Sequence, residues 1–550
     1  MNRFKRPHAS LWVALFFLAL TLIGLFTCGD YGLPCDEPAE QVILRQNMME
    51  YAIRFLGENS SAAQYYDGLG IVPISQSIER DHGECAFYLA APLLTLQASA
   101  PETLTLLWHM LCWLWFMVGA FSLYGFCRET GLNRLISCAG ALLLCLCPRF
   151  FAEGHYNNKD LVLLSLVLAT LWLGLRFLKK PNFLRGLLFS LAGAMASNTK
   201  VVGIFAWGLM GLCTILLLAA SKRFHKRTAA VAAVTIGSFV LFYALLTPAC
   251  WGQPMDYLRY LLLNASGFTR WPGVVLFRGA LYEHAISPLP RYYLPYMMLV
   301  TLPLYLPVLA VLGQFSALRR VWRQKSAALR DETTLALLAA TLLWLVPLLF
   351  AAFTRPLVYN GWRHFYFVFA GVSILAAQGV GAVWRFCVKR AKASHARLWR
   401  RLLPLTLCAC FAVSAWGIAA NHPYQYGYYN VLARGHAQNE MELDYWVVST
   451  LNAMKRLTSE PRNQALPLKL GARDDMSWFG VAHGAAVLPK DQREALSVAY
   501  EPDAPYLFEN TTYAKIYATA PPQGYHVLFT VQSYGNALCT VYERDEASPL

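Results

Sequence analysis

The chain has 550 residues, of which 57% are hydrophobic and only 14% charged, and its formal net charge is +15. That composition excludes a soluble globular protein and points to a polytopic membrane protein. The positive charge implies no nucleic-acid partner: the sequence holds no basic, aromatic-interleaved soluble module, and much of the excess sits in short loops that fix topology and meet anionic lipid headgroups.

Crossing the hydrocarbon core takes about 20 apolar residues. On that measure the sequence predicts eleven spans, at 11–27, 103–126, 135–151, 161–178, 186–200, 202–220, 228–247, 293–316, 334–353, 366–384 and 402–420. The first is a retained signal anchor, since no small-x-small cleavage site follows it. An odd number of spans puts the termini on opposite sides. Arg3, Lys5 and Arg6; Lys179, Lys180 and Arg185; Lys222, Arg223, Lys226 and Arg227; Arg319 to Arg330; and Arg385 to Arg401 then share one face, which the positive-inside rule makes cytoplasmic. Merging 186–200 with 202–220 would place the later basic loops outside, so the two are kept separate at Ser197-Asn-Thr-Lys200.

The other face receives a large first loop (28–102), loops at 148–160, 248–292 and 354–365, a turn near 197–201, and the tail from 421. Within the first loop, 38–55 and 86–96 are expected to lie along the interface as amphipathic helices. The expected fold class is mainly α: a polytopic helical membrane domain over 1–435, followed by a small extracytoplasmic α+β domain over 436–550. In the latter, a helix is predicted over 440–457 and strands over 466–471 and 525–543, the last split into a hairpin at Tyr534-Gly535-Asn536. Most of the fourteen cysteines fall in spans or within three residues of a span's inner end, as small apolar residues do. Among the outer ones, a Cys28–Cys35 bridge, a Cys35–Cys85 bridge and unpaired thiols all remain open. No CxxC, HxxxH or HExxH spacing occurs, so neither a metal nor a cofactor is expected.

Polar residues concentrate on the expected outer face. Asp36-Glu37-Pro38 follows the first span, a pattern that also suits a helix N-terminus. Glu79-Arg80-Asp81-His82-Gly83-Glu84 closes the first loop; Arg80 suits a phosphate and the acids suit sugar hydroxyls. The loop Pro148 to Asp160 carries Arg149, Glu153, His155, Asn157, Asn158, Lys159 and Asp160, more ionisable types than a connector needs. Lys200 either snorkels or points into the bundle, where it needs an anion such as a lipid phosphate. Tyr359-Asn-Gly-Trp-Arg363-His364 opens the tenth span, and an aromatic, amide-rich run from Asn421 to Asn430 leaves the eleventh. Acids and cations gathered on one membrane face, with spans nearly free of charge, suit an enzyme acting on a lipid-linked substrate. They suit a transporter poorly, since transporters place such groups near the midplane.

In their order along the chain, Asp36-Glu37, His-Tyr-Asn-Asn-Lys-Asp (155–160), Thr199-Lys200 and Tyr-Asn-Gly-Trp-Arg-His (359–364) resemble the GT-C membrane glycosyltransferases. The closest group is glycosyltransferase family 39, with its protein O-mannosyltransferases and lipid A aminoarabinose transferase. The resemblance covers about residues 11–435. It implies a polyprenyl-phosphate sugar donor, an inverting transfer to a hydroxyl on a lipid, glycan or protein, and a catalytic carboxylate in the first outer loop. Carried over, Asp36 is the expected base, with Glu37 and Asp160 as further acids. Arg80, Glu84, His155, Asn157, Lys159, Lys200, Tyr359, Arg363 and His364 are the expected substrate-binding set. Where the family has Pro-Pro after the second acid, this chain has Gly83-Glu84-Cys85-Ala86. The expected setting is a bacterial inner membrane with the site facing the periplasm, although the Asn-x-Ser/Thr matches at Asn59, Asn264 and Asn510 do not separate this from an ER lumen. A lipid-sugar flippase and a polysaccharide polymerase or ligase are the alternative readings.

Overall fold

The computed structural model describes residues 8–266, 273–283, 286–390, 396–460, 468–498, 503–512 and 520–545. Arg3, Lys5 and Arg6, part of the basic stretch before Arg401, and the first two residues of the strand expected from 466 lie outside them.

The first half comprises α1 (His8–Thr27), α2 (Glu37–Leu56), α3 (Ser61–Gly68), α4 (Pro101–Glu129), α5 (Arg134–Cys145), α6 (Pro148–Tyr156), α7 (Asp160–Lys179), α8 (Phe183–Thr199), α9 (Gly203–Ala220) and α10 (Lys226–Leu246). After α11 (Pro254–Ser266) comes a hairpin of β1 (Val274–Phe277) and β2 (Ala280–Glu283). The bundle then resumes with α12 (Tyr293–Thr301), α13 (Tyr305–Gln324), α14 (Glu332–Thr354), α15 (Phe369–Arg390) and α16 (Ala396–Ala420).

Among the described residues, seven helices (α1, α4, α7, α9, α10, α14 and α15, the last with its lead-in) are long and apolar enough to cross a membrane. The count reaches nine if each of two bent pairs is one span: α5 with α6 at 72°, and α12 with α13 at 116°. Each bend falls at a proline, Pro148 or Pro303, which lacks the N–H needed to continue a helix. The other two expected spans are the 17-residue α8 and the apolar stretch Pro404–Ala420 of α16, both short of a full crossing at about 20 residues. All eleven predicted apolar runs are therefore helical, and the chain is an integral membrane protein. Most of α7 and α15 is buried inside the bundle, whereas α1 and α10 leave most of their apolar surface outward. Between α13 and α15 the backbones meet so closely that a Cβ at Gly313 would collide with the Leu375 carbonyl, and one at Gly379 with the Leu309 carbonyl. Small residues permit such contact where lipid offers no hydrophobic drive.

The first loop folds back onto the bundle. The Gly83 and Cys85 N–H groups donate to the backbone and side-chain oxygens of Asn198, at 3.0 Å each. A Cβ at Gly83 would strike the Asn198 amide. The segment 86–96, expected as an amphipathic α-helix, is mostly a 3-10 helix at Tyr88–Gln97 containing Pro92.

The C-terminal part holds α17 (Ala437–Glu440), α18 (Val448–Ser459), β3 (Leu468–Ala472), α19 (Asp475–Ala486), α20 (Lys490–Glu494), β4 (Leu496–Val498), β5 (Tyr506–Asn510), β6 (Tyr525–Ser533) and β7 (Asn536–Arg544). The sheet runs β4-β3-β5-β7-β6, with β3 parallel to both neighbours and β7 antiparallel to both of its own. The predicted hairpin turn is present: Tyr534 and Gly535 take φ of 50° and 82°, the pair of positive values that a two-residue turn between twisted strands favours. The helix predicted over 440–457 is not continuous. Residues 441–447 leave the helix, because the Asp444 carboxylate accepts from Ser449 N–H at 3.0 Å and from the Asn510 amide at 3.1 Å. An acid that captures a backbone donor in this way starts a helix instead of continuing one. All fourteen cysteines are free, so neither outer bridge forms.

Candidate functional site

Asp36 stands immediately before α2, with Pro38 in the first turn, a favoured place for proline. An Asp there ordinarily caps the helix through its side chain, but this one makes no such bond. Its Oδ2 instead accepts from Nη1 of Arg363 at 2.7 Å, and its Oδ1 accepts from the Tyr445 hydroxyl and the Cys35 thiol, each at 3.4 Å. The Asp36 side chain remains 35% exposed, whereas Glu37 and its partner His109 are fully enclosed. Glu37 accepts from Gln41 at 3.0 Å and lies 3.1 Å from the His109 ring. Neighbours on a helix point in different directions, so the acid pair is divided: Asp36 faces the site and Glu37 faces α4.

The helix partner of Asp36 is Glu40, one turn on, and the sequence reading missed it. Both Glu40 oxygens hold Lys159 Nζ, at 2.5 and 2.6 Å. Glu84 lies against the same group, with Asn158 donating to it at 3.5 Å. Burial, and then the charge of Glu40, lift the Glu84 carboxyl well above the usual range. Burial would also lift Glu40, but Lys159 outweighs it and holds Glu40 low. Two carboxyls this close cannot both ionise cheaply: Glu84 is the one pushed toward its neutral form, and Glu40 the one that Lys159 holds toward its anion.

Asp160 opens α7, where an acid favours the helix dipole. The Asn157 carbonyl caps the turn, accepting from Asp160 N–H at 2.7 Å and Lys159 N–H at 3.3 Å, while its amide donates to Glu153 at 2.7 Å. Lys200, just past the C-terminus of α8, pairs with Asp160. Arg363 lies within electrostatic reach of both Asp36 and Asp160, and His364 within reach of Lys200 and Asp160. The turn that delivers them is Asn360-Gly361, with φ of 58° and 72°, values that these two residue types tolerate best. It also sinks Trp362 into the core, where the indole donates to Thr301 at 2.8 Å. Tyr359 turns its ring toward both residues, 5.1 Å from the Arg363 guanidinium and 4.5 Å from the His364 ring.

Asp36, Arg363, Asp160, Lys200, His364, Tyr359, Lys159 and Glu84 thus converge at one end of the bundle, and Asn157 shapes the turn beneath them. Three expected residues stand apart from this set. His155 is stacked between Tyr31 and Trp113, 4.4 Å from each, with its nitrogens on Phe151 O and Thr27 Oγ1. Arg80 lies 3.9 Å over the Tyr260 ring and donates to Ser75 O. Glu37 is committed to α4 as described. Near Arg80, the side chains of Glu79, Asp81 and His82 bring one ligand-type atom each within 4.8 Å of one another, and His82 is already paired with Glu79 at 2.8 Å.

The sequence reading also missed the part played by 441–447. Tyr445 and Trp446 each place a ring 4.8 Å from the Arg363 guanidinium. Buried nearby, Glu442 faces Arg149, Arg363 and the Asn360 N–H, and burial pushes its pKa up to about 8. A raised acid favours folding below its ordinary pKa, and that advantage is lost as pH climbs toward 8. Glu442→Gln should therefore match wild type at and below about pH 4.5, the ordinary Glu value, and melt increasingly above wild type as the pH rises toward 8. The gap should already be open at neutral pH and level off above pH 8, at on the order of a few degrees; thermal melts across pH 4–9 test this.

No protein-family model matches the sequence, and a search of curated proteins gives no match. Among solved structures, the chain is similar to ArnT from Cupriavidus metallidurans bound to undecaprenyl phosphate, with 14% identity, 98% of this chain and 100% of that one covered, and a TM-score of 0.44. It is also similar to the apo state of the same protein, with 14% identity, coverage of 97% and 98%, and a TM-score of 0.44.

Proposed function

We propose that this chain is an integral-membrane glycosyltransferase that moves a sugar from a polyprenyl-phosphate donor to an extracytoplasmic hydroxyl on a lipid, glycan or protein, with inversion. The observation that carries this reading is Asp36: a partly open carboxylate, unused as a helix cap, held by Arg363 next to the Asp160–Lys200 pair. The order of motifs along the chain supplies the donor class.

In this reading the acceptor hydroxyl gives its proton to Asp36 as its oxygen attacks the anomeric carbon. The bond from that carbon to the phosphate oxygen breaks, and polyprenyl phosphate leaves with the electron pair. Negative charge from Asp160 steadies the oxocarbenium-like sugar. Lys200 and Arg363 receive the charge growing on the phosphate. Arg363 has a double task, because a phosphate that shares its guanidinium loosens it from Asp36 and makes that carboxylate more basic. Lys159 is not assigned to the phosphate, since both Glu40 oxygens hold it and its side chain is only 10% exposed, against 21% for Lys200. Glu37 and His155 take no direct part. The apolar helices hold the prenyl chain, so positioning contributes much of the rate. The site faces the periplasm of a bacterial inner membrane, on the side opposite the basic loops.

Purified protein in vesicles, given a polyprenyl-phosphate sugar and an acceptor extract, should transfer the sugar and release free polyprenyl phosphate. Movement of the intact glycolipid across the bilayer without that release would replace this reading with a flippase. Lys200→Ala and Arg363→Ala should each weaken donor binding about tenfold, the scale of a lost hydrogen bond to a charged group. Unchanged donor affinity in both would remove the phosphate role.

A further inference from the structure

We infer that the Tyr445-Trp446 corner of the C-terminal segment is a positioning element for Arg363, so that the domain after the last span completes the site. This rests on the function proposed above. Three independent features support it. The Arg363 guanidinium is boxed by the rings of Tyr445, Trp446 and Tyr359 at 4.8, 4.8 and 5.1 Å, while only 6% of the residue is exposed. The corner is stitched to the strand of chain that carries Asp36: Cys35 N–H donates to Trp446 O at 3.2 Å, the Cys35 thiol to Tyr445 O at 3.7 Å, and the Tyr445 hydroxyl to Asp36. Next to it, Val447 adopts φ of 54°, a left-handed conformation that a β-branched residue takes only under constraint. Backbone strain of this kind is held in place by its surroundings and gathers at functional sites.

The chemistry explains why such a box is useful. Among the described residues Arg363 makes one ion pair, with Asp36, and its buried Nε has no hydrogen-bond partner. A guanidinium so loosely bonded would otherwise swing among rotamers. Aromatic faces hold its plane by cation–π attraction without consuming its N–H donors. The donors therefore stay free to turn from the Asp36 carboxylate to a phosphate. Trp446 touches no reacting atom in this scheme, and Tyr445 meets one only through its 3.4 Å hydroxyl bond to Asp36, which the Phe variant removes while keeping the ring. They fix where Arg363 is found, and through it the distance between base and leaving group.

The test is steady-state transfer by the full-length protein in vesicles, with a polyprenyl-phosphate sugar as the varied substrate. Tyr445→Leu with Trp446→Leu should raise the donor KM about tenfold, the combined scale of two cation–π contacts, with kcat changed less than the KM. Tyr445→Phe with Trp446→Phe should restore the wild-type KM, since the rings return without the polar atoms. Phe508→Leu, in the core of the same domain and away from Arg363, should lower the melting temperature but leave the donor KM alone. A wild-type donor KM in the Leu pair would overturn the inference, as would a KM that rises equally in Phe508→Leu. The proposed function fails separately: it falls if Asp36→Asn and Arg363→Ala leave transfer intact, whatever the Leu pair does.

Discussion

Asp36→Asn should reduce sugar transfer by about 100- to 10,000-fold, the usual contribution of a general base, while the protein still inserts and binds donor. The amide keeps the shape and can still accept one hydrogen bond from Arg363, but it cannot take a proton. Single-turnover transfer and donor binding, measured together, separate the two effects. Normal turnover by this variant would remove Asp36 from the base role. The pH profile gives a second reading of the same residue. Burial would raise the Asp36 carboxyl, but the Arg363 charge and hydrogen bond outweigh it and hold it below the ordinary carboxylate value. A lowered acid stays ionised until the pH falls through its depressed pKa, so the acid limb of kcat/KM, which reports the free enzyme, should lie below about pH 3.9, the unperturbed Asp value. Arg363→Gln removes the lowering influence and leaves the burial, so its acid limb should move upward. An unshifted limb would show that the titrating group is not Asp36.

Much of this architecture was legible in the sequence. Each predicted apolar run is a helix, because a run of that length with almost no charge has little alternative in lipid. The two bends and the short apolar stretches of α8 and α16 are harder to foresee, since apolar composition alone does not report how far a helix runs before a proline turns it. At the site, Asp36, Asp160, Lys200 and Arg363 were named from their side of the membrane, and the structure gathers them. The division of Asp36 from Glu37 follows from helical geometry once α2 is known to start there, and the same geometry, i to i+4, points to Glu40. Tyr445 lies 409 residues from Asp36 in the chain. Its contribution was invisible because the pattern around it passes for uninterrupted helix, and only the tertiary bonds of Asp444 break it.

Lys159→Met should be among the most destabilising single changes in the outer part of the molecule, costing about 3–5 kcal/mol, as breaking a buried ion pair from one side does. Lys159 and Glu40 are each 10% exposed at the side chain, so water cannot replace the lost partner. Glu84 cannot take the place of the lysine: it lies beside Glu40 but carries no positive charge, so the Glu40 carboxylate is left without a cation. The chain can relieve this only by taking up a proton, so the defect should be largest at neutral and alkaline pH and smaller in acid. Glu40→Gln with Lys159→Met removes both charges and should recover most of the stability, since an apolar or neutral pair of similar volume is often no worse than the ion pair. Thermal melts of the two variants at pH 5 and pH 8 test this directly. The same pair decides what Lys159 is for. If the double variant folds, binds donor and transfers sugar, the lysine serves to hold the first loop against α7. If it folds but loses donor binding as Lys200→Ala does, Lys159 belongs with the phosphate after all, and Glu40 is its counter-ion in the absence of substrate.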